Sequence, residues 1–224
     1  MMRKRREALR LMKNLFVLGD SISIHYGPDL QRMLAGKLGY DRKGSAQIQA
    51  ALQDLDQAQV EGANGGDSRM VLAYLQAELD TIRRHSNLLL LNCGLHDLRT
   101  EPDSLKKQVE LAEYQANLRA ALRLIRDRAA ALQPYWVRTT PVDSAHHNRL
   151  AAHFRRFAED VVAYNRAADA LMAEFGVPVI DLYGFTRQLG EDVYHDHVHF
   201  KEPVRALQAA FIAGHLLAWT EATV

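Results

Sequence analysis

The sequence predicts a three-layer α/β/α domain around a mostly parallel sheet of about five strands. Three observations predict it. Apolar runs of strand length alternate with longer stretches of helical period, the pattern of repeated strand-helix units. No Pro/Gly/Ser-rich linker, internal repeat or composition shift divides the 224 residues. A chain of that length buries enough surface for one sizeable core.

The elements follow in order. NLFVL, residues 14–18, is a buried first strand, and a helix is expected over about 28–38. The polar stretch 41–57 matches neither period, and a weak strand is expected near 58–61. DSRMVLAYLQAELDTIRRH is a helix with Asp67 or Ser68 as its cap. NLLLLNCG is the second clear buried strand. A long helix over about 104–132, a strand YWVRTTP closed by Pro141, a helix over 150–175 stopped by Gly176, and a last strand VPVIDLY come next. EPVRALQAAFIAGHLLAWTEA closes the chain as a helix with Pro203 in its first turn. Residues 12–224 are expected to form the single domain and residues 1–11 an upstream extension. That basic start resembles a signal peptide, but the apolar stretch behind it is short and runs straight into a Gly-Asp-Ser turn.

Composition excludes several classes. The chain is 48% hydrophobic and 25% charged with a net charge of +1, which gives no pull toward nucleic acid or a membrane surface. The pairs Arg83-Arg84 and Arg155-Arg156 read as solvated helix faces. The short apolar runs argue against membrane insertion. One cysteine, Cys93, excludes an intrachain disulfide and fits a cytoplasmic location; on its buried strand it reads as a small core residue.

In sheets of this kind sites form where strand ends meet the following loops. The first strand delivers Ser21, the loop before the second helix carries NGGDS, the second clear strand ends in NCGLHDLR, and a late loop reads VYHDHVHF. Together these hold a hydroxyl nucleophile, an imidazole base, a carboxylate to orient it and donors for an oxyanion, which are the parts of acyl transfer. Asp196 and His199 are three residues apart, close enough to pair if the loop makes one turn. Ser68 is a rival nucleophile, but its Gly-Asp-Ser precedes a helical pattern and reads as a cap. Asp20 and Asp97 read as acceptors that fix loops, Asn165 as a helix-surface or tethering residue, and Arg138 as either a substrate contact or an ion-pair partner. The Gly-x-Ser-x-Gly elbow of the α/β-hydrolases is absent.

A reading from another chemical class rests on His195, His197 and His199, which alternate and would share one face of an extended segment, as metal ligands do. Beyond His146, His147 and His153 no further ligand set stands out, and a metal would leave the Gly-Asp-Ser turn without a purpose. No metal or other cofactor is therefore expected, and His195 and His197 are expected at the pocket mouth.

The blocks GDSI, GGDS, GLHD and DHVH occur in that order over nearly the whole chain. In this the sequence resembles the SGNH, or GDSL, family of serine esterases and lipases. The resemblance implies a flavodoxin-like fold, with Ser21 as nucleophile and, through its N–H, as one oxyanion donor. It implies Gly66 as the second donor, His199 as the base and Asp196 as its orienting partner. Where the family carries an oxyanion asparagine this chain has His96. An amide always donates, whereas a neutral imidazole donates from one nitrogen only; Asn92 is the alternative amide. The expected function is a serine ester hydrolase working through an acyl-enzyme on a small-molecule ester. The resemblance permits short acyl esters, O-acetylated sugars, lysophospholipids and thioesters, and the lack of a long exposed apolar stretch favours an O-acetylated carbohydrate. The loops 41–57, 99–103 and 141–150 are the expected walls. A binding module that keeps the fold without the activity is the third reading.

Overall fold

A computed structural model describes residues 12–53 and 62–221. The expected strand at 58–61 and the extension at 1–11 lie outside the described residues. Five strands, β1 (Asn14–Leu18), β2 (Gly39–Arg42), β3 (Leu88–Leu91), β4 (Gln133–Val137) and β5 (Val179–Ile180), form one sheet in the order β2-β1-β3-β4-β5. Every pairing is parallel. The central strand β3 is four leucines, all buried, as a strand covered on both faces requires.

The helices are α1 (Ser21–Leu34), α2 (Ile48–Ala51), α3 (Ser68–His85), α4 (Leu111–Arg128), α5 (Ser144–Leu150), α6 (Ala158–Phe175), α7 (Leu182–Arg187) and α8 (Glu202–Glu221). α1 packs along α8, while α3, α4 and α6 pack side by side in series. With the sheet between the two groups this is the three-layer α/β/α sandwich. One continuous apolar core joins the strands to the inner helix faces. Leu89, fully buried on the central strand, measures that core: Leu89→Ala is expected to cost about 2–5 kcal/mol in urea unfolding.

Several boundaries differ from the sequence reading, each for a local reason. α1 begins at Ser21 because the Asp20 carboxylate accepts the Ile22 N–H at 3.0 Å, so Pro28 lies inside the helix rather than at its start. β2 falls at the edge of the unassigned polar stretch, and as an edge strand it carries polar residues. Residues 101–110 are a loop, held by Gln108 N–H to the Arg99 carbonyl at 2.7 Å and Val109 N–H to the Asp97 carbonyl at 2.9 Å, so the long helix starts only at Leu111. The helix expected over 150–175 starts only at Ala158, as α6, while a separate short helix, α5, occupies 144–150 in the expected wall loop, with a non-helical segment between the two. There Arg155 and Thr100 exchange backbone hydrogen bonds at 2.7 and 2.8 Å. This overturns the solvated-face reading of Arg155-Arg156. Arg156 is 1% exposed and its Nε donates to the Leu95 carbonyl at 2.8 Å, bracing the turn that follows β3. β5 is only two residues long because Asp181 turns the chain into α7 by accepting the Gly184 N–H.

Candidate active site

In the order β2-β1-β3-β4-β5 the succession of strands turns from one side to the other between β1 and β3, and open α/β sheets bind ligands outside the carboxyl ends of the strands at such a switch point. Ser21 follows β1 there as the first residue of α1. Its N–H is one of the helix-end donors without an intrahelical partner, and the Asp20 cap is spent on Ile22 instead. The turn after β3 sits alongside. Gly94, at φ +146°, approaches Thr139 so closely that a Cβ would lie 2.3 Å from Oγ1. Gly94→Ala is expected to lower the melting temperature measurably, because both the backbone and the neighbour refuse it.

His199, the expected base, arrives from the other end of the chain. Packing of α8 on α1 carries the loop ahead of α8 over Ser21. That loop is closed by a Tyr194–Phe200 bridge and by His195 N–H to the His199 carbonyl at 2.7 Å, so it is a tight turn and not an extended strand. At its tip Asp196 Oδ1 accepts the N–H groups of Val198 and His199 at 2.9 and 2.8 Å, while Oδ2 meets His199 Nδ1 at 2.8 Å. A carboxylate only accepts, so Nδ1 carries the proton and Nε2 carries the lone pair. Nε2 lies 2.8 Å from Ser21 Oγ. Burial pushes the Asp196 carboxyl up, but the hydrogen bond and charge of His199 with the two backbone N–H groups outweigh it and hold the group well below the usual carboxylate range.

The remaining expected residues are placed as follows. Gly65 N–H donates to the Gly19 carbonyl at 2.8 Å, seating the glycine loop on the end of β1. Gly66, at φ +70°, donates its N–H to Asn64 Oδ1 at 2.9 Å. His96 is buried at 1% exposure in the turn after β3. Asn92 donates its amide to the Val137 carbonyl at 2.9 Å, which ties it to β4. The Ser68 hydroxyl accepts from the Asn117 amide at 3.0 Å, and its N–H donates to Asp97 Oδ1 at 2.8 Å, so Ser68 opens α3 as expected of a residue beside a cap. Asn165 tethers β4 through both Thr139 backbone groups at 2.9 Å, and Arg138 is an ion-pair partner of Asp169 and Asp181. Cys93 is fully buried and burial raises its thiol.

Among the described residues the ligand atoms that converge as a metal could use them belong to Asp196, His197 and His199, within 4.8 Å of one another. His195 is not one of the three, because the tight turn breaks the alternation that an extended segment would have shown.

Asp97 is fully buried, and burial raises its pKa from 3.8 to about 7 despite the Ser68 hydrogen bonds. Its folded value lies above its unfolded one, so the native state holds the extra proton between those values and stability falls as pH rises through that window. The stability difference between Asp97→Asn and the wild type is therefore expected to move in favour of the variant from pH 4 to pH 7, read by urea titrations at each pH.

His25 is the site residue that sequence reasoning missed. One turn along α1 from Ser21, its ring stands edge-on to His199 with centroids 5.2 Å apart. Burial first, then the His199 charge, lowers its pKa to about 4. At neutral pH it therefore faces His199 with an uncharged ring.

No helix among the described residues is long and apolar enough to cross a membrane. A family model described as the GDSL-like lipase/acylhydrolase family matches residues 17–203. No curated protein sequence matches the chain. Among solved structures, a lipase/acylhydrolase from Enterococcus faecalis superposes with a TM-score of 0.67 at 16% identity, covering 92% of this chain and 96% of that one. A psychrotrophic esterase from Pseudoalteromonas gives 0.62 at 13% identity over 93% and 99% of the two chains. An acetylxylan esterase from Geobacillus stearothermophilus gives 0.60 at 16% identity over 89% and 92%. With four sequence blocks gathered at one end of the sheet and a family model spanning most of its length, the chain belongs to the GDSL-like lipase/acylhydrolase family, a family of carboxylic ester hydrolases.

Proposed function

We propose that the chain hydrolyses esters in two steps through an acyl-enzyme on Ser21. The observation that carries the reading is the unbroken relay Asp196 Oδ2 to His199 Nδ1 at 2.8 Å and His199 Nε2 to Ser21 Oγ at 2.8 Å. His199 takes the Ser21 proton as Oγ attacks the ester carbonyl, then returns it to the leaving alcohol; water repeats the sequence to release the acid. The oxyanion is received by the N–H of Ser21, the N–H of Gly66 and the His96 side chain. Gly66 must exchange Asn64 Oδ1 for the oxyanion, so its bond is made in the transition state and not to the resting enzyme.

Residues 12–224 act as one hydrolase domain in this reading, with 1–11 an upstream extension. The substrate class is a small O-acylated carbohydrate, supported by the fold shared with an acetylxylan esterase. A single, fully buried cysteine suits a reducing cytoplasm.

The test is labelling with a fluorophosphonate probe followed by peptide mapping, run beside hydrolysis of p-nitrophenyl esters of rising chain length and of acetylated xylo-oligosaccharides. A label on Ser21 with release of acetate supports the reading. An unlabelled Ser21 in folded protein would assign the chain to the binding-module reading. His96→Ala is expected to lower kcat by about 10²–10³-fold with little change in KM, as loss of one oxyanion donor does, whereas His96→Asn should retain most of the rate.

A further inference from the structure

Two histidines beside the triad are left unused by acyl transfer. His147, fully buried on α5, and His197, at the tip of the catalytic loop, bring their Nδ1 atoms to 3.1 Å. His147 Nδ1 also lies 3.2 Å from the His197 carbonyl oxygen, and the two rings stand edge-on with centroids 4.8 Å apart. Next door on α5, His146 Nε2 meets the Asp196 carbonyl at 2.8 Å. α5 thus grips the loop at two points, and one of them is a pair of facing nitrogens.

A nitrogen pair 3.1 Å apart is close to the ~3.3 Å edge of a tetrahedron with Zn–N bonds of 2.0–2.1 Å. A carboxylate lies beside one member of the pair, since Asp196 and His197 each offer a ligand atom within 4.8 Å of the other. Two imidazoles and a carboxylate select zinc or copper over magnesium or calcium, which prefer oxygen alone.

We propose that His147 and His197 are the anchor of an inhibitory site for a divalent transition ion, zinc above all, completed by the Asp196 carboxylate. In the neutral pair one ring holds its proton on Nδ1 and the other on Nε2; on binding, the first ring moves its proton to Nε2 through solvent with no net proton release, and two N–metal bonds replace the Nδ1 contacts. No redox change is involved. The third bond is made at the expense of the carboxylate's contact with His199 Nδ1. His199 then loses the partner that holds its tautomer, and hydrolysis stops while the fold stays intact. The inhibitory part of this inference rests on the serine mechanism proposed above; the binding part does not.

The experiment is isothermal titration of the full-length protein with zinc chloride in a non-chelating buffer, together with p-nitrophenyl acetate hydrolysis at each zinc concentration. Expected are one zinc per chain, hydrolysis falling in proportion to occupancy, and recovery on adding EDTA. Ser21→Ala should bind zinc like the wild type. His197→Gln should bind at least tenfold more weakly and lose the inhibition measured against its own zinc-free rate; His147→Gln, checked for fold by circular dichroism, should do the same. Absence of zinc binding to the wild type, or binding undiminished in His197→Gln, overturns the site. Zinc bound and lost in the variants but without effect on hydrolysis overturns its inhibitory role. A wild type that hydrolyses no ester counts against the proposed function, and the calorimetry still decides the site.

Discussion

Ser21→Ala is expected to lower kcat toward p-nitrophenyl acetate by a factor on the order of 10⁶, the loss seen when the nucleophile of a serine triad is removed. The structure makes this a clean substitution. Ser21 is 3% exposed, its Oγ meets His199 Nε2, and the helix start it occupies is capped by Asp20 and not by Ser21 itself. The variant should therefore unfold at nearly the wild-type denaturant midpoint while turnover disappears. Activity within tenfold of wild type would show that another group performs the attack.

The second large effect is expected at Asp196→Asn, about 10⁴-fold in kcat, by way of the histidine tautomer. Asp196 Oδ1 accepts two backbone N–H groups, from Val198 and His199. In the variant that position must stay an oxygen, so the amide nitrogen occupies the place of Oδ2 and points its hydrogens at His199 Nδ1. The ring answers by holding its proton on Nε2, where it faces Ser21 and no longer accepts. Stopped-flow labelling with a fluorophosphonate should slow by the same factor as ester turnover. A loss of only a few-fold would mean that the Asp196 charge does not set the tautomer.

What could be read from sequence follows how local each cause is. The leucine run at 88–91 and the alternation of apolar runs with helical stretches sufficed for a parallel sheet, because burial on both faces is written in side-chain type alone. The four blocks pointed to Ser21, Gly66, His96, Asp196 and His199 at strand ends and loops. Their mutual distances were not legible, since they depend on α8 lying along α1. His25 was hidden by one misplaced boundary: with the helix started near Pro28, a histidine one turn beyond Ser21 had no defined face. Arg156 was hidden by another, because a continuous helix over 150–175 leaves no inward bend to carry it against Leu95, and His147, though named beside His146 and His153, lay in a stretch read as a loop and so had no buried face. β2 was missed because an edge strand needs no apolar run.

Ser21 and His199 stand 178 residues apart in the chain, and the pairing of α1 with α8 is what joins them. On the proposed mechanism hydrolysis consequently waits until α8 has been made. A nascent or truncated chain that ends before α8 holds a hydroxyl with no base beside it, and it stays chemically silent among the acylated molecules of its surroundings. On that mechanism catalytic competence reports that α8 has been made and docked on α1, so active-site titration counts those molecules where a protein assay counts all of them.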